Sequence, residues 1–113
     1  MSFQHHLAGN VLVITLEGNL LGEHSNTPVL ELLKGNLEQG NKKVLFNLAN
    51  LKFINSTGLG MLMTALTKTR NAGGEMALCN IPEQMKKILA ITKLENIFPT
   101  YDDEAAALRF LQA

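Results

Sequence analysis

Two hydroxyls and two glycines crowd one short stretch of the chain, Asn55-Ser56-Thr57-Gly58-Leu59-Gly60. A serine in such a setting has three chemical uses: attacking as a nucleophile, capping a helix, or accepting a phosphoryl group. The nucleophile reading lacks support, because Ser56 has no Gly-x-Ser-x-Gly frame and no histidine lies in a segment marked as its base. The capping reading is the plain one. Ser56 or Thr57 at the start of a helix satisfies an orphan backbone N–H, worth about 1 kcal/mol. The third reading uses the same location differently. Free N–H groups and the positive end of the helix dipole stabilise an anion, so a phosphoserine is tolerated there. The added charge of about −1.5 to −2 then repels a docked partner without unfolding its own domain. Gly58 and Gly60 serve either turn geometry or the close approach of a partner's backbone.

Other residues with chemical potential form no comparable group. His5 and His6 fall on an edge-strand segment and His24 in a polar loop, with no cysteine or carboxylate at metal-ligand spacing, so no metal site is expected. Gly58-Leu59-Gly60 and Gly73-Gly74 match neither a P-loop nor a dinucleotide fingerprint, and no cofactor is expected. No acid, base or metal constellation points to an enzyme. Ten Lys plus Arg balance ten Asp plus Glu, which leaves no basic field for nucleic acid and favours a protein partner. The single Cys79 cannot form an internal disulfide, in keeping with a reducing compartment. The N-terminus has no basic head followed by an apolar run, and no stretch approaches the roughly 18 apolar residues of a membrane span. The expectation is a cytoplasmic chain with no membrane partner.

The elements that position Ser56 follow from hydrophobic periodicity. With 113 residues, 46% of them hydrophobic and 18% charged, the chain closes one core and is expected to form one domain over 1–113. Residues 11–16 are a β-branched run bounded by turn formers, which predicts a strand buried on both faces, with a weaker strand ahead of it at 2–7. Thr27 followed by Pro28 fits a helix N-cap and first helical position, and Val29, Leu30, Leu33 and Leu37 recur at helical spacing to about Gly40. Residues 43–48 give a second central strand that leads through 49–52 into Phe53-Ile54. A second helix from about Ser56 carries Leu59, Leu62, Met63 and Leu66 on one face and ends before Gly73-Gly74. On that assignment Met61, Thr64 and Lys68 look outward beside the Ser56 turn, where a partner docks. Residues 75–80 read as a strand and 82–93 as a helix with Met85, Ile88, Leu89 and Ile91 facing in. Residues 97–101, with Pro99, make an edge strand, and Asp103 caps a last helix. Strands alternating with helices imply an α/β fold with right-handed crossovers and a mainly parallel sheet.

The stretch Phe53-Ile54-Asn55-Ser56-Thr57-Gly58-Leu59-Gly60 resembles the phosphorylation-site motif of bacterial anti-sigma-factor antagonists of the STAS family, usually Asp-Ser-Ser/Thr-Gly-Leu-Gly. The likeness extends over nearly the whole chain. The strand ending in Gly18, the strand at 44–48, the turn from Ala72 to Met76, the helix at 80–94, Phe98 and the segment 103–111 fall in the family's order and spacing. The resemblance implies the STAS fold, a mixed four- to five-stranded sheet with about four helices packed mainly on one side. It also implies a function. The unphosphorylated antagonist captures an anti-sigma factor with serine kinase activity and so regulates transcription. Phosphorylation releases it, and a phosphatase resets the switch.

In that scheme Ser56 aligns with the phosphorylated hydroxyl and Thr57 with the second one, a secondary acceptor or helix cap. The partner-binding surface comprises Asn55, Ser56, Thr57, Gly58, Gly60 and Met61. Two positions depart from the family pattern: Asn55 stands where the motif carries Asp, and Leu21 where an acidic residue follows Gly18. Those two missing charges support an alternative, a phosphorylation-independent STAS subunit of a larger signalling or transport assembly.

Overall fold

The computed structural model describes residues 2–20 and 23–112, with side chains at 3–19 and 27–112. Its elements run β1 (Ser2–Ala8), β2 (Val11–Leu20), α1 (Glu23–Glu38), β3 (Lys43–Ile54), α2 (Ser56–Asn71), β4 (Glu75–Cys79), α3 (Glu83–Thr92), a 3-10 turn (Leu94–Asn96), β5 (Thr100–Tyr101) and α4 (Glu104–Gln112). The five strands lie side by side in chain order. β1 is antiparallel to β2, and β2 to β5 are mutually parallel. The sheet is mainly parallel, as the alternation of apolar runs predicts, and mixed, as the family resemblance implies.

The central strands are buried on both faces, which is why they read as continuous apolar runs. Leu12, Ile14 and Leu16 of β2 join Val44 and Phe46 of β3 in the larger core, under Val29 and Leu33 of α1, Leu62 and Leu66 of α2, and Met85 and Leu89 of α3. Val11, Val13, Leu45, Ala77 and Cys79 face the other way, against Ala107 and Leu111 of α4. Three helices therefore cover one face and one covers the other. Gly74 lets β4 start tight against β3: a Cβ there would run into the Lys42 carbonyl, and this structural demand accounts for the second glycine of Gly73-Gly74.

Several local expectations need correction. α1 begins at Glu23, with Pro28 inside it. Pro28 is the sixth residue of the helix, where it forgoes the N–H bond to the carbonyl four residues back, so the Thr27-Pro28 signature marks a point past the helix start. His24 accordingly lies in α1 and not in a loop. Ile91 is 81% exposed, because it sits about 200° around α3 from the buried Leu89. The Leu21 position lies outside the described residues, as does the side chain of Glu23.

β3 is one strand of 12 residues, not a short strand followed by a connection. Its burial switches from the continuous run Val44, Leu45, Phe46 to a spacing of three, Leu48, Leu51 and Ile54. An unbroken strand turns successive side chains to alternate faces, so a spacing of three requires bulges. The pairing supplies them: Thr15 pairs with Asn47 but Glu17 with Asn50, and Gly18 pairs with Leu51 but Asn19 with Phe53. Each irregularity puts extra residues into β3 and rotates the next leucine or isoleucine back to the core.

Candidate functional site

The site is the junction of β3 and α2. Asn55 has extended backbone, φ −112° and ψ −177°, and is the N-cap of α2. Its side-chain Oδ1 accepts from the Gly58 N–H at 2.9 Å, and its carbonyl accepts from the Leu59 N–H at 2.9 Å. The cap is therefore Asn55, in place of the Ser56 or Thr57 hydroxyl. Ser56 and Thr57 are the first two helical residues, both exposed, and their hydroxyls have no hydrogen-bond partner among the described residues. Their backbone N–H groups are two of the orphan donors of a helix start, at the positive end of the dipole. The geometry presents an unencumbered Ser56 Oγ at a place that tolerates negative charge.

The surface around it is specific. Gly58 is buried, while Gly60 is exposed with nothing within 4 Å of an added Cβ. Among the described residues Gly60 therefore answers no packing need, and it leaves open surface one turn along from Ser56. Met61, expected to face outward, is 3% exposed and part of the core. α2 packs against both the sheet and α1, and its buried arc is wide enough to take in Met61 together with Leu62, Ala65 and Leu66. Of the residues expected to meet a partner, Asn55, Ser56, Thr57 and Gly60 thus share the accessible junction, and the buried Gly58 and Met61 do not. The outer stripe of α2 continues through Thr64 and Thr67, whose hydroxyls donate to the Gly60 and Met63 carbonyls at 3.0 Å, to exposed Lys68.

Phe53 is the residue that sequence reading missed. It is 53% exposed, two positions ahead of the cap. The signal was present but indirect, since the spacing Leu48, Leu51, Ile54 assigns the core positions and leaves Phe53 outside. Its ring is the one large hydrophobic that β3 leaves exposed among the described residues, at the end of the strand that leads into α2.

Two shallow cavities adjoin this end of the sheet. One of about 470 Å3 is lined by Glu17, Gly18, Ala49, Asn50, Leu51 and Lys52. The other, about 340 Å3, lies past the ends of β4 and β5 among Ala49, Asn80, Ile81, Lys86, Thr100, Tyr101 and Asp102. Beside it Asn47 Oδ1 accepts from Asn80 Nδ2 at 3.2 Å and from the Ala49 N–H at 3.0 Å, and Asn47 Nδ2 donates to Glu104 Oε1 at 3.3 Å. These amides are spent on joining β3, β4 and α4. Cys79 is fully buried, and that burial, with Glu104 and Asp103 adding to it, pushes its thiol up to about 12. It stays protonated and unreactive near neutral pH. Among the described residues no group of three or more His, Cys, Asp or Glu could hold a metal ion, and no helix is long and apolar enough to cross a membrane.

Known proteins share this fold. The STAS domain model matches residues 3–107. An anti-sigma F factor antagonist from Paenibacillus polymyxa is 29% identical over 112 residues, covering 99% of this chain and 94% of that protein. The crystal structure of TM1081 from Thermotoga maritima superposes with a TM-score of 0.88 at 22% identity, over 98% of this chain and 95% of that one. The Bacillus cell-fate determinant SpoIIAA in its phosphorylated form does so with a TM-score of 0.75 at 22% identity, over 96% of this chain and 99% of that one. With the family model spanning nearly every element that builds the β3–α2 junction, the chain belongs to the STAS domain family, among relatives that carry the name anti-sigma factor antagonist.

Proposed function

We propose that this chain is an anti-sigma factor antagonist, a single-domain, non-enzymatic binding module of the cytoplasm. It captures an anti-sigma factor with serine kinase activity through the β3–α2 junction and is released by phosphorylation of Ser56. The observation that carries this reading is the division of labour at the helix start. Asn55 does the capping, so the Ser56 hydroxyl is exposed, unpartnered and adjacent to orphan N–H groups. Phosphorylation there keeps the cap and the fold while placing about two negative charges on the docking surface, where they cost a partner repulsion and desolvation. A phosphatase reverses the change, and Thr57 is a secondary acceptor.

The test is capture of the anti-sigma factor encoded in the same cells by Ser56→Ala and Ser56→Asp variants. Ser56→Ala is expected to bind like the parent, and Ser56→Asp to bind about tenfold more weakly or worse. Equal affinity of all three would overturn the switch. That outcome favours a second reading, a phosphorylation-independent STAS subunit of a larger signalling or transport assembly, for which Asn55 in place of the motif's Asp is the supporting observation.

A further inference from the structure

The two edges of the sheet are unlike. β5 is two residues long and follows Pro99, so it offers little to pair with. β1 is seven residues long and pairs with β2 without a bulge along its whole length, from Ser2 with Glu17 to Ala8 with Val11. Folded proteins block such an edge with lysine, proline, a bulge, an inward charge or a covering element. β1, Ser-Phe-Gln-His-His-Leu-Ala, has no proline, lysine, arginine or carboxylate. Residues 4–7 are all exposed, Leu7 at 54%. Among the described residues the one hydrogen bond to β1 from outside its own hairpin comes at its end, from Gln112 Nε2 to the Ala8 carbonyl at 3.1 Å.

We propose that this edge docks a second copy of the chain, β1 against β1 and antiparallel, joining two five-stranded sheets into one across a twofold axis at His5. The register about His5 is self-complementary. Leu7 of each copy falls opposite the Phe3 of the other, and Gln4 falls opposite His6. Phe3, His5 and Leu7 share the face of Leu16, Ile14 and Leu12, their partners on β2. Phe3 already packs on that core with its ring 6.2 Å from that of His5, whereas Leu7 does not. Pairing therefore gives the exposed leucine an aromatic neighbour twice over, and cross-strand apolar pairs of this kind stabilise a sheet. With no lysine, arginine or carboxylate on the strand, two copies meet without permanent like charges opposed. One seven-residue strand falls short of the roughly 1,000 Å2 of a tight interface, so the dimer is weak and grows with concentration. It leaves the β3–α2 junction uncovered, two strands away.

Sedimentation velocity at neutral pH from about 10 μM to about 1 mM covers the affinity range of weak complexes. The parent chain is expected to shift from monomer toward dimer, while amide exchange of residues 3–7 slows with concentration and that of β5 does not. His5→Lys and His5→Glu each place like charges on the axis, and each is expected to stay monomeric. Mixing the two is expected to restore a dimer of one copy of each. A parent that stays monomeric throughout, a dimer that persists in either variant alone, or a mixture that fails to dimerise would each overturn the proposal. Ser56→Asp is expected to leave the dimer unchanged, so this result and the phosphorylation switch fail separately.

Discussion

At the scale of single residues, capping at the β3–α2 junction falls to Asn55 and not to a hydroxyl. Asn55 holds the helix, so Ser56 is released from structural duty. Asn55→Ala removes the cap and is expected to cost about 1 kcal/mol, read as a lower urea midpoint with an unchanged slope. Asn55→Asp keeps the bond and adds a carboxylate at the positive end of the dipole. That carboxyl titrates below its unfolded value, so its extra stability is full above the usual Asp range and fades as pH falls through it. Comparing the two variants' melting temperatures at neutral and acid pH checks both signs. The helix start at Ser56 was legible in the sequence, because the apolar spacing after it is helical and hydroxyls and glycines mark the turn ahead of it. The identity of the cap was not, since Asn55, Ser56 and Thr57 are all good caps and only backbone angles choose among them. Met61 was illegible for another reason: a helix wedged between a sheet and a second helix buries a wider arc than one leucine stripe reveals.

At the scale of elements, β3 shows how bulges turn a strand into a carrier for a site. Two irregularities in its pairing with β2 keep Leu48, Leu51 and Ile54 inward and put Phe53 outside. Phe53→Ala is thus expected to leave stability within about 0.5 kcal/mol while weakening anti-sigma factor capture. Leu51→Ala, buried one pitch earlier, is expected to cost about 2–4 kcal/mol. Urea denaturation and a binding titration on both variants distinguish the surface residue from its core neighbours. β2, β4, α3 and α4 were readable because β-branched runs and helical leucines are bounded by clear stops, and Asp103 does cap α4, accepting from the Ala106 N–H at 2.8 Å. The bulged half of β3 and the true start of α1 were not. A spacing of three imitates a helical or irregular segment, and a Thr-Pro pair inside a helix imitates its beginning.

At the scale of the whole molecule, the sheet is a partition between a large core under α1, α2 and α3 and a smaller one under α4. Cys79 belongs to the smaller core, and its thiol is held to about 12 by burial first and by Glu104 and Asp103 next. The unfolded thiol ionises near 9.0, so unfolding gains a charged form that the fold refuses. Stability is expected to be insensitive to this group below pH 9, then to fall as pH rises toward 12. Cys79→Ala should flatten that alkaline slope in a stability-versus-pH series. The mainly parallel sheet was legible from the order of apolar runs, whereas the antiparallel β1 came from the resemblance and the lone placement of α4 on the second face is a matter of topology that no local pattern encodes. The partition is also uneven along its length. β3 pairs with β4 only from Lys43 to Asn47 and then runs on to Ile54 with β2 as its one strand neighbour. From Leu51, paired with Gly18 beyond the end of β1, the backbone that leads to Ser56 is half of a two-stranded ribbon, so its outward amides are expected to exchange with water sooner than those of 44–46. On the proposed function a partner at the junction covers that ribbon, and the expected outcome is slower exchange at residues 51–54 on adding anti-sigma factor, with fast exchange restored once Ser56 is phosphorylated.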